Sequence, residues 1–529
     1  MKKLFIALLS LVMIFAIVGC DKGWTSTVTD YSGEVSSNGG FLVEKGDWVY
    51  FINGIEDYTS ENTFGQVVKG AVVRAKKAEL SSKDKTVDVV VPEIVYSTQK
   101  GNGNGLFIFG DYIYYATPCS EKNANGDVKN TEIEYMRTKL DGSETKVIAN
   151  LSTNSDPFRF VQLDNVCYLA VYTSNDDGDK VIRVYNADTQ SLVKESKKVT
   201  NYAFPDDLNA KYAYYTTSVH NEALDEDESF NAVYRIALDG SEDVEILNGA
   251  GTYSDATNGI GIAGVLFDIT KNTGADLYIK ETSVQTSSVA VYKGIKQSDI
   301  VTAANGETPA TKLNYDKLIT IDNGSSLANS IFAETSIYID LDAIVYFDAN
   351  YGMMKYDYNN ASNEAFGREI IYYNDTINDS AFKFIKDGIA YFCDLDGVYY
   401  SLDMSKIIDL ATGEVKGEQV EPKRLNYVNV TTDWYQPEIV GNYFVCAVDE
   451  DPYYGYIYAF DLTETDGKTD EEIEDYIEDI EVKDREHILS RLDKLVGVMS
   501  DADKELLDTY MDENYPAEEE TSSDSSSSN

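Results

Sequence analysis

The sequence predicts an all-β protein: a β-propeller of seven or eight blades, followed by a small C-terminal α-helical hairpin. Three observations predict it. A unit of roughly fifty residues recurs along most of the chain. Each copy opens on a short Tyr-rich, β-branched run, mostly behind Gly, Asp or Asn. Most openers are answered downstream by an aromatic or apolar run that ends in Asp. Short strands with a turn in front, and no helical period, suit a propeller blade better than a solenoid.

The elements follow in chain order. Residues 1–19 read as a secretory signal: Lys2 and Lys3 supply positive charge, Leu4 to Val18 is apolar apart from Ser10, and Gly19 precedes Cys20. The apolar run is at or below the about 17 residues that span a bilayer. The run Ile17-Val18-Gly19-Cys20 resembles a bacterial lipobox. That resemblance implies cleavage before Cys20 and a diacylglyceryl group on its thiol, which brings two acyl chains (palmitate among them). Two chains suffice for stable anchoring. The expected location is therefore the extracytoplasmic face of a bacterial cell membrane, with the membrane as one partner. Residues 20–37 are rich in Ser, Thr, Gly and Asp and lack an apolar period, so a flexible tether is expected there.

Residues 38–465 hold the repeats. The clearest openers are Trp48-Val49-Tyr50-Phe51 and Tyr112-Ile113-Tyr114-Tyr115, with further copies at Val166, Tyr212, Ala343, Ile389 and Tyr443. A weaker copy lies between Gly264 and Lys280, where Val265-Leu266-Phe267 and Leu277-Tyr278-Ile279 compete. The second landmark is sharpest at Tyr135 to Leu140 before Asp141-Gly142-Ser143, and at Tyr234 to Leu238 before Asp239-Gly240-Ser241. Gly after Asp accepts the positive φ of a tight turn, and the strands Lys146-Val147-Ile148 and Val244 to Leu247 follow. Tyr114 and Tyr214 are expected at equivalent positions of different blades.

Residues 468–515 change grammar. Glu486 to Met499 places Ile488, Leu489, Leu492, Leu495, Val496 and Met499 on one stripe, and Ala502 to Glu513 adds Leu506, Leu507, Tyr510 and Met511. These predict two helices joined at Ser500, docked through Leu492, Leu495, Val496 and Leu506. The tail 516–529 reads as disordered.

The segment Asn38 to Asn53, with Gly46-Asp47-Trp48-Val49-Tyr50-Phe51 at its centre, is similar to an uncharacterised family of bacterial cell-surface β-propeller lipoproteins. That family is related to the YWTD propellers of low-density-lipoprotein receptors. The resemblance implies fold and location. It also implies that a strand from Phe41 to Glu44 completes the last blade and closes the ring.

Composition narrows the function. The formal net charge is −47, and removal of Lys2 and Lys3 with the signal makes it −49, which argues against nucleic acid. His220 and His487 stand apart, so a Ser-His-Asp or Cys-His site has no support. Cys167, Cys393 and Cys446 sit in strand-like runs and read as core thiols. With 91 acidic residues, a cluster such as Asp225 to Glu228 reads as a solvated loop. Ca²⁺ is the weak cofactor candidate, at Asn175-Asp176-Asp177-Gly178-Asp179 and at Asp394-Leu395-Asp396-Gly397, against plain turns. The 40 Tyr read as packing between blades before they read as a ligand surface. The sequence therefore points to a non-enzymatic binding module for an unknown glycan, peptide or envelope protein, with no catalytic residue assigned. The alternative is an extracytoplasmic carboxylate-based hydrolase or lyase, with Ca²⁺ as its possible ion.

Overall fold

Alternation along the repeats folds the chain into eight four-stranded antiparallel sheets, each from strands contiguous in sequence. In the computed structural model the described residues lie between 26 and 516, leaving aside 27, 55–68, 83–84, 93–104, 119–131, 152–156, 220–229, 250–263, 284–288, 301–315, 323–329, 334, 359–366, 387, 427–429, 432–435, 449–454, 465, 470, 474, 477–485, 487–494, 498 and 500. Cys20, Cys119, both histidines and the Asp225 to Glu228 cluster fall outside them. Among the described residues, no helix is long and apolar enough to cross a membrane.

Blade 1 is β1 (Leu42–Lys45), β2 (Trp48–Ile52), β3 (Val72–Lys76) and β4 (Val87–Val91). Blade 2 is β5 (Phe107–Phe109), β6 (Tyr112–Pro118), β7 (Ile133–Lys139) and β8 (Lys146–Leu151). Blade 3 is β9 (Phe158–Leu163), β10 (Val166–Ser174), β11 (Lys180–Asn186) and β12 (Ser191–Glu195). Blade 4 is β13 (Asn201–Ala203), β14 (Tyr212–Val219), β15 (Phe230–Ala237) and β16 (Asp243–Asn248). Blade 5 is β17 (Val265–Asn272), β18 (Asp276–Ser283), β19 (Val289–Lys296) and β20 (Asp316–Asp322). Blade 6 is β21 (Ile337–Ile339), β22 (Ala343–Asp348), β23 (Gly352–Asp357) and β24 (Arg368–Tyr372). Blade 7 is β25 (Ala381–Lys386), β26 (Ile389–Cys393), β27 (Tyr399–Asp403) and β28 (Lys423–Arg424). Blade 8 is β29 (Val430–Thr431), β30 (Glu438–Val440), β31 (Tyr443–Val448) and β32 (Ile457–Asp461).

The blade count is therefore eight, and the weak copy resolves into β17 and β18. In blades 1 to 7 the openers are the second strand and not the first; in blade 8 Tyr443 opens β31, the third in chain order. The Gly, Asp or Asn before them belongs to the tight turn from the first strand, where the backbone takes positive φ: 58° at Gly46, and 49° and 65° at Asp164 and Asn165. Tyr114 and Tyr214 are equivalent: each lies on a second strand, opposite Arg137 and Arg235 of the third.

Ring closure differs from the expectation. β1 pairs with β2 of its own blade and does not complete the last one. Blades 8 and 1 are joined by side chains, with Val43, Val49 and Phe51 meeting Val440, Val445 and Ile457 in one apolar cluster. The outer edge of blade 8 is extended by Leu495, which bridges Tyr458, and by Val496, whose N–H donates to the Ile457 carbonyl at 2.9 Å. Leu495 and Val496 are thus extended and not part of a helical stripe, because the open edge of β32 offers unpaired backbone groups. The rest of the expected first helix lies outside the described residues, Glu486, Gly497 and Met499 apart.

A short helix, α1 (Asp375–Asn378), precedes blade 7, and α2 (Asp501–Asn514) follows the ring. Leu507 and Met511 of α2 join the cluster between blades 7 and 8, whereas Leu506, expected inward, is 69% exposed. The expected tether also packs from Val28 onward. Val28 is buried in the blade 1 cluster, Val35 bridges Lys45, and the Ser26 hydroxyl donates to the Val89 carbonyl. The extended backbone beside β1 gives these Ser- and Gly-rich residues partners that composition does not report.

Between blades the core is aromatic. Of the largest fully buried side chains all but Phe51 are Tyr, which decides for packing at those positions. Alternate residues of each second strand face opposite neighbours: Ala213 and Tyr215 meet blade 3, while Tyr214 meets blade 5. Cys167, Cys393 and Cys446 are free, buried thiols of this core.

Candidate functional site

The site is assembled from a motif that recurs in three blades. An aromatic residue opens the second strand, and a buried Arg of the third strand stacks on it. The guanidinium-to-ring distances are 3.7 Å for Arg74 over Trp48, 4.7 Å for Arg137 over Tyr112 and 4.2 Å for Arg235 over Tyr212. Each Arg also holds an acid. Arg74 Nε lies 3.0 Å from Asp88, Arg137 pairs with Asp188, and Arg235 Nη2 lies 2.6 Å from Glu242. Buried guanidinium needs such partners, since an unpaired buried charge is costly.

In blade 4 this motif borders a cleft of about 980 Å³ that reaches blades 5 and 6. Tyr212 and Arg235 form one wall; the β17–β18 turn at Gly274 to Asp276, the segment Lys296 to Ser298 with Ile300, and Asp340 form the rest. Arg235 Nη1 donates to the Ile300 carbonyl at 3.1 Å, tying the third strand of blade 4 to blade 5. Lys296 Nζ lies 3.1 Å from Asp340. The Tyr278 hydroxyl donates to the Asp340 carbonyl. Asp340 holds a φ of 46° in the turn before β22, a left-handed conformation that Asp tolerates better than most residues. Asp276 has no such cation at bonding distance. Burial first, and the Asp340 charge second, push its carboxyl above the usual carboxylate range, while Lys296 opposes both.

The cleft therefore offers one ion-paired carboxylate, one carboxylate biased toward its protonated form, a stacked Arg–Tyr wall and several amide and hydroxyl groups. Two acids in unlike environments are what general acid–base chemistry requires. Sequence reading singled out none of these residues as a site, because they come from three blades. The one legible signal was the Tyr-rich opener at Tyr212.

The two loops singled out as Ca²⁺ candidates are turns that use their own oxygens. Asn175 Oδ1 accepts from the Asp177 and Asp179 amides, at 3.0 and 2.9 Å. Asp394 Oδ1 accepts from the Asp396 and Val398 amides, at 3.0 and 2.8 Å. Among the described residues, no three His, Cys, Asp or Glu side chains converge as a metal site.

No family model matches the chain. No curated protein matches it. Solved structures that it resembles include the β-propeller domain of the Trilobed protease from Pyrococcus furiosus, at 11% identity and a TM-score of 0.34, covering 80% of this chain and 95% of that one. A puromycin-hydrolyzing peptidase of Mycobacterium tuberculosis matches at 10% identity and 0.36, covering 73% of this chain and 53% of that one. An oligogalacturonate lyase in complex with manganese matches at 9% and 0.29, covering 69% and 95%. Likeness at this level carries no activity across. We withdraw the expectation that the chain is not an enzyme: a peptidase and a lyase are among the solved structures it resembles. The argument from scarce histidine was too narrow, because carboxylates also serve as general acids and bases.

Proposed function

We propose that this chain is a protein lipid-anchored at the extracytoplasmic face of a bacterial cell membrane, and that the cleft between blades 4, 5 and 6 takes a polar ligand, a glycan or a peptide. The observation that supports it is the cleft itself: about 980 Å³ of space walled by Tyr212, Arg235, Asp276, Lys296, Gln297 and Asp340. A flat ring beside charged and amide groups suits a ligand with both apolar faces and hydroxyl or amide edges. The anchor rests on Cys20. Cys20→Ser is expected to abolish incorporation of a labelled fatty acid, and undiminished label on that variant refutes it.

A second reading is favoured by Asp276: hydrolysis or elimination, with Asp276 as the general acid and Asp340 as the charged partner. One experiment covers both. The full chain is screened against glycan and peptide arrays, then Asp276→Asn is compared with wild type on any hit. Retained binding with lost turnover supports the catalytic reading; retained binding with no turnover in either protein supports capture alone. Binding that survives Tyr212→Ala together with Lys296→Ala removes the cleft from both.

A further inference from the structure

The N-terminal segment crosses one blade on its way into the ring. First strands lie nearest the axis, where neighbouring blades come close enough to bond: the Ile269 N–H of β17 donates to Asn201 Oδ1 of β13 at 2.7 Å. Fourth strands therefore form the rim. Ser26 sits against β4, where its hydroxyl donates to the Val89 carbonyl at 3.1 Å and accepts the Val28 N–H at 3.1 Å. Val28 is 3% exposed in the blade 1 cluster. Arg74 of β3 donates to the Asp30 carbonyl, and Lys45 Nζ donates to the Gly33 carbonyl at 2.8 Å. A Cβ on Gly33 would stand 2.5 Å from the Gly46 Cα, so a side chain has no room at this crossing. The Ser36 N–H then donates to the Glu44 carbonyl of β1 at 3.0 Å. From Ser26 to Ser36 the chain thus runs across blade 1 from rim to axis.

Blade 1 and the cleft stand at opposite ends of a diameter. Apolar clusters join each blade to the next from 2 through 8, and a further cluster joins 8 to 1 and 1 to 2. Blade 5, the middle of the cleft, is therefore four blades from blade 1 in either direction. Sheets about 10 Å apart and strands about 4.8 Å apart put the rim of an eight-bladed ring roughly 20 Å from its axis. The cleft, at mid-blade across the axis, lies roughly 30 Å from the rim of blade 1.

Cys20 precedes Ser26 by six residues, and six residues span at most about 20 Å. A lipid on Cys20 keeps the rim of blade 1 within that reach of the bilayer. Charge sets the tilt. The formal net charge is −47, so an anionic leaflet repels most of the ring. The connection from β3 to β4 does not share that excess: residues 69–88 hold six Lys and Arg against three Asp and Glu. Lys76 is exposed there, and Lys77 is half-buried beside Glu44 at 2.6 Å. The leaflet's potential fades over about 8 Å at physiological salt, so only the part resting on the surface feels it. A ring lying flat on either face would bring its acidic blades into that layer.

We propose that the ring stands on the membrane through the rim of blade 1, docked against anionic lipid headgroups, with the cleft held away from the bilayer. The cleft then takes a ligand that arrives through water and not a lipid headgroup. The inference rests on the lipid anchor proposed at Cys20, and is independent of which ligand the cleft takes.

The test uses the full lipidated chain in vesicles of phosphatidylcholine and phosphatidylglycerol with an acceptor dye in the headgroup layer. A donor dye is carried by Thr86→Cys, exposed just before β4, or by Ser298→Cys, exposed in the cleft, each with Cys119→Ser. Energy transfer from Thr86→Cys is expected to exceed that from Ser298→Cys severalfold. The gap should narrow in vesicles of phosphatidylcholine alone, where the repulsion is gone. Protein that stays in solution refutes the anchor and the proposal together. Protein that joins the vesicles yet transfers equally from both sites, or more from Ser298→Cys, refutes the orientation and leaves the anchor standing. A gap that is as wide on neutral vesicles overturns docking on anionic headgroups.

Discussion

Replacing Met511 with Ala asks whether α2 belongs to the ring. Met511 is 1% exposed and packs with Leu507 among Phe444, Tyr458 and Phe460 of blade 8. Truncating a buried Met costs roughly 2–5 kcal/mol, the sum of lost transfer energy and the cavity left behind. Unfolding entropy is about 2.1 cal/mol/K per residue, so about 470 residues that unfold together carry about 1 kcal/mol/K. The expected fall in melting temperature is then about 2–5 °C. Leu506 provides the control within the same helix. At 69% exposure its truncation should stay within about 0.5 kcal/mol, less than 1 °C. Differential scanning calorimetry on both variants, with circular dichroism to confirm the helix, decides the matter. The reasoning fails if Leu506→Ala costs as much as Met511→Ala, or if Met511→Ala melts with wild type.

Asp276 gives a pH-dependent prediction. A carboxyl raised in the folded state holds more protons there than in the unfolded chain, so stability falls as pH climbs from its unfolded value, about 3.9, through the raised one. Asp276→Asn should therefore be more stable than wild type at neutral pH, with the gap closing as pH falls toward 4; a gap that persists or widens in acid refutes the assignment. Burial pushes the thiols of Cys167, Cys393 and Cys446 up, so in a Cys20→Ser, Cys119→Ser background they should react with a thiol reagent only in denaturant. Stoichiometric labelling of the native protein contradicts that. Arg235→Ala strands Glu242 and the Ile300 carbonyl, and should cost about 3–5 kcal/mol, or several degrees by calorimetry. A variant that melts with wild type would show that the pair contributes nothing.

Much of the blade was legible in the sequence because strands and turns are local. The Asp at or just past the end of β7, β15, β27 and β32 is one case. Its Oδ1 accepts the backbone N–H two residues on, at 2.9 Å for Ser143, Ser241 and Thr463 and 3.0 Å for Ser405. Asp-Gly-Ser made this turn visible at Asp141 and Asp239, while Asp403-Met404-Ser405 and Asp461-Leu462-Thr463 keep the geometry without the Gly. An Asx turn needs only a short acceptor and a neighbouring N–H, so it outlives the motif that revealed it.

The sequence by itself therefore determined the repeat, the tyrosine-rich strands and the turns, since a period-two pattern and Gly or Asp at a strand end act within a few residues. Only the tertiary structure decided which strand of a blade each opener forms, how the ring closes, and which face of α2 is buried. These depend on what stands opposite. Leu506 and Leu507 are both apolar on a helix, and the surface of blade 8 selects Leu507. The same holds for charge. Arg159 and Arg235 look alike in sequence, yet one has a carboxylate within bonding distance and the other does not. That difference was set by the packing of neighbouring blades, where desolvation makes a missing partner expensive.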